Sequence, residues 1–138
     1  MRSMPAMSTQ VHGTFEVEAQ RHPPYDTRPG ATLARTSLEK KFAGPLEATS
    51  HVEMIGAMSE VKGSAGYVAI ERVVGTLAGR AGTFVMQHNG VMDRGAMSLS
   101  LTVVPDSGTD ALVGLRGSMA IEIVEGQHHY RFDFTLPG

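Results

Sequence analysis

The chain has 138 residues, with 12 Lys or Arg against 14 Asp or Glu, 6% aromatic residues, no Cys and no Trp. That length suits a single domain with a real core. A near-neutral charge without like-charge runs, and so few aromatics, argue against a nucleic-acid or membrane-surface protein. The missing cysteines exclude disulfides, thiolate metal sites and a thiol nucleophile.

The N-terminal MRSMPAMSTQ carries one Arg and no apolar core, so it does not read as a secretory signal. Residues 1–11 are expected to be a flexible segment, and residues 12–138 one barrel domain. No apolar run approaches membrane-spanning length. With the absence of cysteine, this points to a cytoplasmic protein.

From there the rhythm is all-β. Short runs rich in Val, Ile, Thr and Phe alternate with glycine, and the chain holds 16 Gly. The first strand is expected over 13–19, followed by the proline-rich loop RHPPYDTRPG at 21–30. The second, 31–42, is the most helix-like piece. Its alternation nevertheless sets Leu38, Lys40 and Phe42 on one face against Glu39 and Lys41 on the other, so it is read as strand. The third spans 46–58.

The fourth and fifth, 64–78 and 82–89, form the hairpin GYVAIERVVGTLAGRAGTFVMQHNG. A turn at Gly79–Gly82 sets Leu77 opposite Phe84, Gly75 opposite Met86 and Val73 opposite His88, with Asn89-Gly90 turning the chain afterwards. Glu71, Ala69 and Tyr67 continue the face of His88. The other face holds Val68, Ile70, Arg72, Val74, Val85 and Gln87. Both faces are substantially apolar, which a sheet wetted on one side should not be. A homo-oligomer through strands 66–90, or cover by another segment, is therefore expected.

The remaining strands are expected over 96–105, 111–124 and 127–136. In the last hairpin, Glu125-Gly126 suits a two-residue turn that pairs Ile123 with His128, Ile121 with Tyr130 and Met119 with Phe132. Gly75, Gly114 and Gly117 stand where a sheet must bend. The whole reads as a roughly eight-stranded antiparallel up-and-down β-barrel, a size able to hold one small ligand.

Several of these stretches together resemble a known family. They are Glu71-Arg72 within a Gly-Tyr-Val strand, the Phe-Val-x-Gln-His strand end, the loop VVPDSGTDALVGLRG and the His-x-Tyr of the final strand. The chain is similar over residues 12–136 to the DUF3224 family, uncharacterised small bacterial proteins with an allene-oxide-cyclase-like β-barrel. The resemblance implies that barrel and no activity. By fold analogy, plant allene oxide cyclases hold a fatty-acid epoxide in the lumen and cyclise it without a cofactor. No motif here carries that reaction over, and the analogy raises only the expectation of an apolar pocket.

Glu71 and His88 are the sharpest chemical pair, since both fall on one face of adjacent strands within diagonal reach. A desolvated carboxylate beside an imidazole suits acid–base catalysis, and it equally suits a satisfied structural pair. Tyr67, Met86, His128 and Tyr130 are candidate ligand contacts, the last two otherwise being amphipathic residues at a core edge. His128 and His129 point to opposite faces and no HExxH spacing occurs, so no metal and no cofactor are expected. Ser107, in VVPDSGTDA, lies in turn composition rather than in a nucleophile elbow.

These features favour a lumen that binds a small apolar or amphipathic molecule, with cofactor-free isomerisation or cyclisation as its catalytic form. A non-catalytic carrier, or an interaction barrel with a filled interior, are the alternatives. Phe84, Phe132, Phe134 and Leu77 pointing inward would fill it, while Gly75 and Ala69 leave room.

Overall fold

A computed structural model describes residues 8–137. The strands are β1 (Thr9–Arg21), β2 (Ala31–Ala43), β3 (Leu46–Ser59), β4 (Ala65–Leu77), β5 (Arg80–Asp93), β6 (Ala96–Val103), β7 (Arg116–Val124) and β8 (Gln127–Thr135). Each pairs antiparallel with the next, and β8 returns to β1, so the sheet closes on itself as an eight-stranded up-and-down barrel.

Three tight hairpins share one local chemistry. Ala78-Gly79, Arg94-Gly95 and Glu125-Gly126 all have positive φ at both residues. Such turns match the twist of the flanking strands, and glycine takes the second position without steric cost. The final hairpin has the expected register, Ile123 opposite His128 and Met119 opposite Phe132.

The β4–β5 hairpin turns earlier than expected. Leu77 pairs with Arg80, so Val73 faces Phe84 and Ala69 faces His88. The expected pairing, Leu77 with Phe84, is displaced from this by four residues along β4. An even displacement leaves every side chain on its face. Asn89-Gly90 does not turn the chain: β5 runs on to Asp93, and β6 pairs with it from Asp93 down to Met86. The first strand also starts earlier, at Thr9, because Thr9–Phe15 pair with β8. The rest of the expected flexible segment, residues 1–7, lies outside the described residues.

The seventh strand starts later than expected, at Arg116. The preceding segment is a connection with a 3₁₀ turn at Asp110–Leu112, where positive φ at Asp110 and Gly114 breaks the extended chain. This connection closes one end of the barrel with Leu112 and Leu115, both fully buried. Ser107 and Thr109 serve here as caps. The Val85 and Thr83 amides each donate to their hydroxyls at 3.0 Å. β6 and β7, which flank the connection, share only two residue pairs, Leu101–Met119 and Thr102–Ser118.

The inward residues at this end form the core. Phe84 stacks on Phe132 with ring centroids 5.9 Å apart, Phe132 meets Phe134 at 5.3 Å, and Phe15 meets Phe42 at 5.3 Å. Gly75 is required where β4 crowds β3, since a Cβ there would lie 2.3 Å from the Glu47 carbonyl oxygen. One half of the lumen is thus packed solid, and the other half is open.

Candidate functional site

At the boundary between the two halves, four consecutive strands each turn one polar side chain inward: Lys40 from β2, Ser50 from β3, Glu71 from β4 and His88 from β5. Strand parity brings them there. Lys40 lies between Leu38 and Phe42 on the inward row and pairs directly with Ser50. Glu71 and His88 are diagonal neighbours, because Glu71 pairs with Met86 and His88 with Ala69.

The Glu71 carboxylate is the hub. Its Oε1 lies 2.6 Å from His88 Nε2 and 3.2 Å from Lys40 Nζ, and its Oε2 accepts from the Ser50 hydroxyl at 2.5 Å. The Glu71 side chain is wholly buried, and those of Lys40 and His88 are nearly so. Burial pushes the Glu71 carboxyl up. The hydrogen bond from His88, the Lys40 charge and the Ser50 hydroxyl outweigh it and hold the group below the ordinary glutamate range. Lys40 Nζ also sits 4.9 Å from the Phe15 ring centroid and 5.9 Å from that of Phe42, so the ammonium is flanked by aromatic faces on its core side. Among the described residues no buried side-chain nitrogen or oxygen lacks a partner.

Tyr67 sits on the open side of this cluster. Its ring lies over Gly90, where a Cβ would come within 2.2 Å of Cε1, and its centroid is 6.2 Å from that of His88. Burial raises the phenol above its ordinary range, and the Glu71 charge adds to the shift. Beyond Tyr67 opens a cavity of about 520 Å³. Its wall is mostly apolar, built from Met54, Met92, Met97, Ala34 and Tyr67, with Arg21 and His22 as its other ionisable side chains.

The geometry brings together Glu71, His88 and Tyr67, all expected from sequence. Glu71 and His88 do not line the cavity, and Tyr67 does. Three other expected contacts lie elsewhere. Met86 is fully buried in the packed half. Tyr130 is buried too, and its hydroxyl accepts from the Leu46 amide at 3.0 Å and donates to the Ala43 carbonyl at 3.2 Å, tying β8 to the β2–β3 hairpin. His128 is half-buried with its ring 5.1 Å from Phe15, beside a separate surface cleft. Lys40 and Ser50 are the residues that sequence reasoning missed. The signal for Lys40 was available as a lysine on an otherwise apolar row between Leu38 and Phe42. Among the described residues no three His, Cys, Asp or Glu side chains gather at metal-ligand geometry.

The chain belongs to the DUF3224 family. The family model, described as a protein of unknown function, matches residues 11–134. The crystal structure of a DUF3224 protein of unknown function from Shewanella oneidensis MR-1 is similar at 50% identity, with a TM-score of 0.90. The match covers 96% of this chain and all of that one. No curated protein matches the chain.

Proposed function

We propose that the open half of the barrel binds a small apolar or amphipathic molecule. The observation that carries this reading is the cavity of about 520 Å³, walled by methionine, alanine and the Tyr67 ring. Pockets that take small organic ligands have roughly this size and combine apolar walls with few polar groups. Methionine suits such a wall because its flexible, polarisable thioether adapts to an irregular partner. The Tyr67 hydroxyl would orient the ligand by hydrogen bonding.

Binding without turnover is the form the geometry supports best. Lys40, Glu71, Ser50 and His88 satisfy one another, and Tyr67 stands between His88 and the cavity. The catalytic form, a cofactor-free isomerase or cyclase, rests on that same adjacency. Tyr67 would exchange a proton with the ligand while Glu71 and His88 tune its acidity from behind.

The test is titration with N-phenyl-1-naphthylamine, whose fluorescence rises in apolar surroundings, on the wild type and on Ala34→Phe. Ala34 lines the cavity, so the larger ring should occupy it and abolish the signal. Equal binding by both proteins, or none by the wild type, would reject the site.

A further inference from the structure

The cavity of the open half is one-sided in charge. Among the described residues no Asp or Glu lines it, while Arg21 and His22 do. His22 is already engaged. Its Nε2 lies 3.0 Å from the Ser37 hydroxyl, which donates to Glu53 on the outer row of β2 and β3. Arg21 is not engaged in this way. Among the described residues no carboxylate lies within salt-bridge distance of its guanidinium.

Strand parity aims Arg21 at the cavity. β1 and β2 pair Val17 with Lys40, Ala19 with Leu38 and Arg21 with Thr36, so Arg21 shares the inward row of Lys40. Thr36 pairs in turn with Met54. A cation, a hydroxyl and a thioether thus follow one another across three strands, and all three line the cavity. Arg21 ends β1 and is exposed, whereas Thr36 and Met54 are half-buried. The row therefore runs from a hydrated positive end to an apolar one.

An uncharged ligand makes no use of the guanidinium, and a cationic one is repelled by it. A carboxylate matches it, because the planar fork offers two parallel N–H donors and is charged at any working pH. The Thr36 hydroxyl stands beside it as a further donor. No carboxylate on the wall competes for the cation or repels the anion.

We infer that the ligand is an amphipathic carboxylate, held by Arg21 and Thr36 with its apolar body laid over Met54 and Ala34 toward Tyr67. The inference rests on the cavity reading above and names the ligand class for it. A plain apolar pocket prefers an alcohol to the ionised acid of the same skeleton, since the charge must leave water. The reverse order therefore reports a counter-charge at the site.

Displacement of N-phenyl-1-naphthylamine at neutral pH tests it, with 4-phenylbutanoate, 4-phenylbutan-1-ol and 4-phenylbutylamine as competitors. These carry one skeleton with a negative, a neutral and a positive end. From the wild type, the acid should displace the probe at about tenfold lower concentration than the alcohol, the scale of one charge-assisted contact, and the amine should be weakest. Arg21→Gln, an exposed substitution, should return the lead to the alcohol. The ratio of acid to alcohol is read within each protein, so any change in probe affinity cancels. A wild type that binds the probe but yields it equally to the alcohol or the amine overturns the carboxylate assignment and leaves the cavity reading standing. So does an Arg21→Gln protein that keeps the preference for the acid. A wild type that does not bind the probe rejects the cavity reading, and this inference with it.

Discussion

Lys40 Nζ and Glu71 Oε1 meet at 3.2 Å inside the barrel, from strands that are not paired with each other. β3 lies between them, and its Ser50 binds the other carboxylate oxygen. The pair is the deepest charged contact in the described residues, with both side chains essentially removed from water. Removing Glu71 leaves the Lys40 ammonium buried without its counter-charge, at about 3–5 kcal/mol, whereas removing Lys40 leaves the carboxylate held by His88 and Ser50. Glu71→Gln should destabilise on that scale in urea unfolding, and Lys40→Met by less. The double variant Lys40→Met/Glu71→Met should cost less than the sum, because neither charge of the pair is then stranded, and the loss that remains is that of Ser50 and His88 without their acceptor. Additive losses would mean that the two side chains act independently.

The same double variant separates a structural from a functional role for the cluster. Replacing a buried ion pair by apolar residues of similar size is often neutral or stabilising. Here Ser50 and His88 lose their acceptor, so we expect the double variant to fold somewhat below wild-type stability and to bind N-phenyl-1-naphthylamine as the wild type does, since neither Lys40 nor Glu71 lines the cavity. If the protein has a turnover activity, it should vanish in this variant while binding persists. An activity untouched by the double change would remove Glu71 from the chemistry.

Acid should destabilise the protein through Glu71. Its carboxyl is held below the ordinary value of 4.5 in the folded state. The stabilisation from its ionised form is therefore complete above about pH 4.5 and is lost as pH falls through the lower folded value. Urea unfolding at descending pH should show this decline in the wild type and a flatter one in Glu71→Gln. His51 acts in the opposite sense. Its hydrogen bonds to Glu39 and Glu53 raise it above 6.5, so its contribution is complete below that pH and fades as pH rises through the folded value. His51 is half exposed, so solvent keeps this second effect small. His51→Ala should remove it and, by releasing the Glu53 carboxyl that His51 holds below its ordinary range, trim the acid limb slightly.

Tyr130→Phe should cost about 1–3 kcal/mol, because it strips the Leu46 amide of its acceptor inside the protein. Amide exchange at Leu46 should accelerate more than at neighbouring strand positions. Uniform acceleration across β3 would instead indicate general loosening of the barrel.

Much of this arrangement is legible in the sequence through strand parity alone. Alternation sets Tyr67 and Glu71 on one face, and His88 stays with them under any even register displacement, which is why the four-residue displacement of the β4–β5 register leaves the three together. Register depends on where the turn sits, and Ala78-Gly79 and Gly79–Gly82 are both plausible turn sequences. The Lys40 contact is a different matter. Alternation places Lys40 inward, but its partner lies across an intervening strand, and only the curvature of the closed barrel brings the two within reach. The misplaced ligand contacts fail for a related reason. Met86 and Tyr130 do face inward, but parity along a strand does not tell height along the lumen, and their height is that of the packed half.

Tyr67 meets both the cavity and the buried cluster, so it should control access between them. His88 is almost wholly covered, and the Tyr67 ring lies beside it on the cavity side. Tyr67→Ala would remove that ring and join the two spaces. Diethylpyrocarbonate, which acylates accessible imidazoles, should therefore modify His88 in Tyr67→Ala and spare it in the wild type and in Tyr67→Phe, as read by mass spectrometry of the peptide containing it. Tyr67→Phe keeps the shield and loses only the hydroxyl, so weaker binding of a hydrogen-bonding ligand in that variant isolates the polar contact. Rapid modification of His88 in the wild type would mean that the ring swings aside in solution. A ligand would then reach Glu71 and His88 directly, and the catalytic form of the proposal would gain over the carrier.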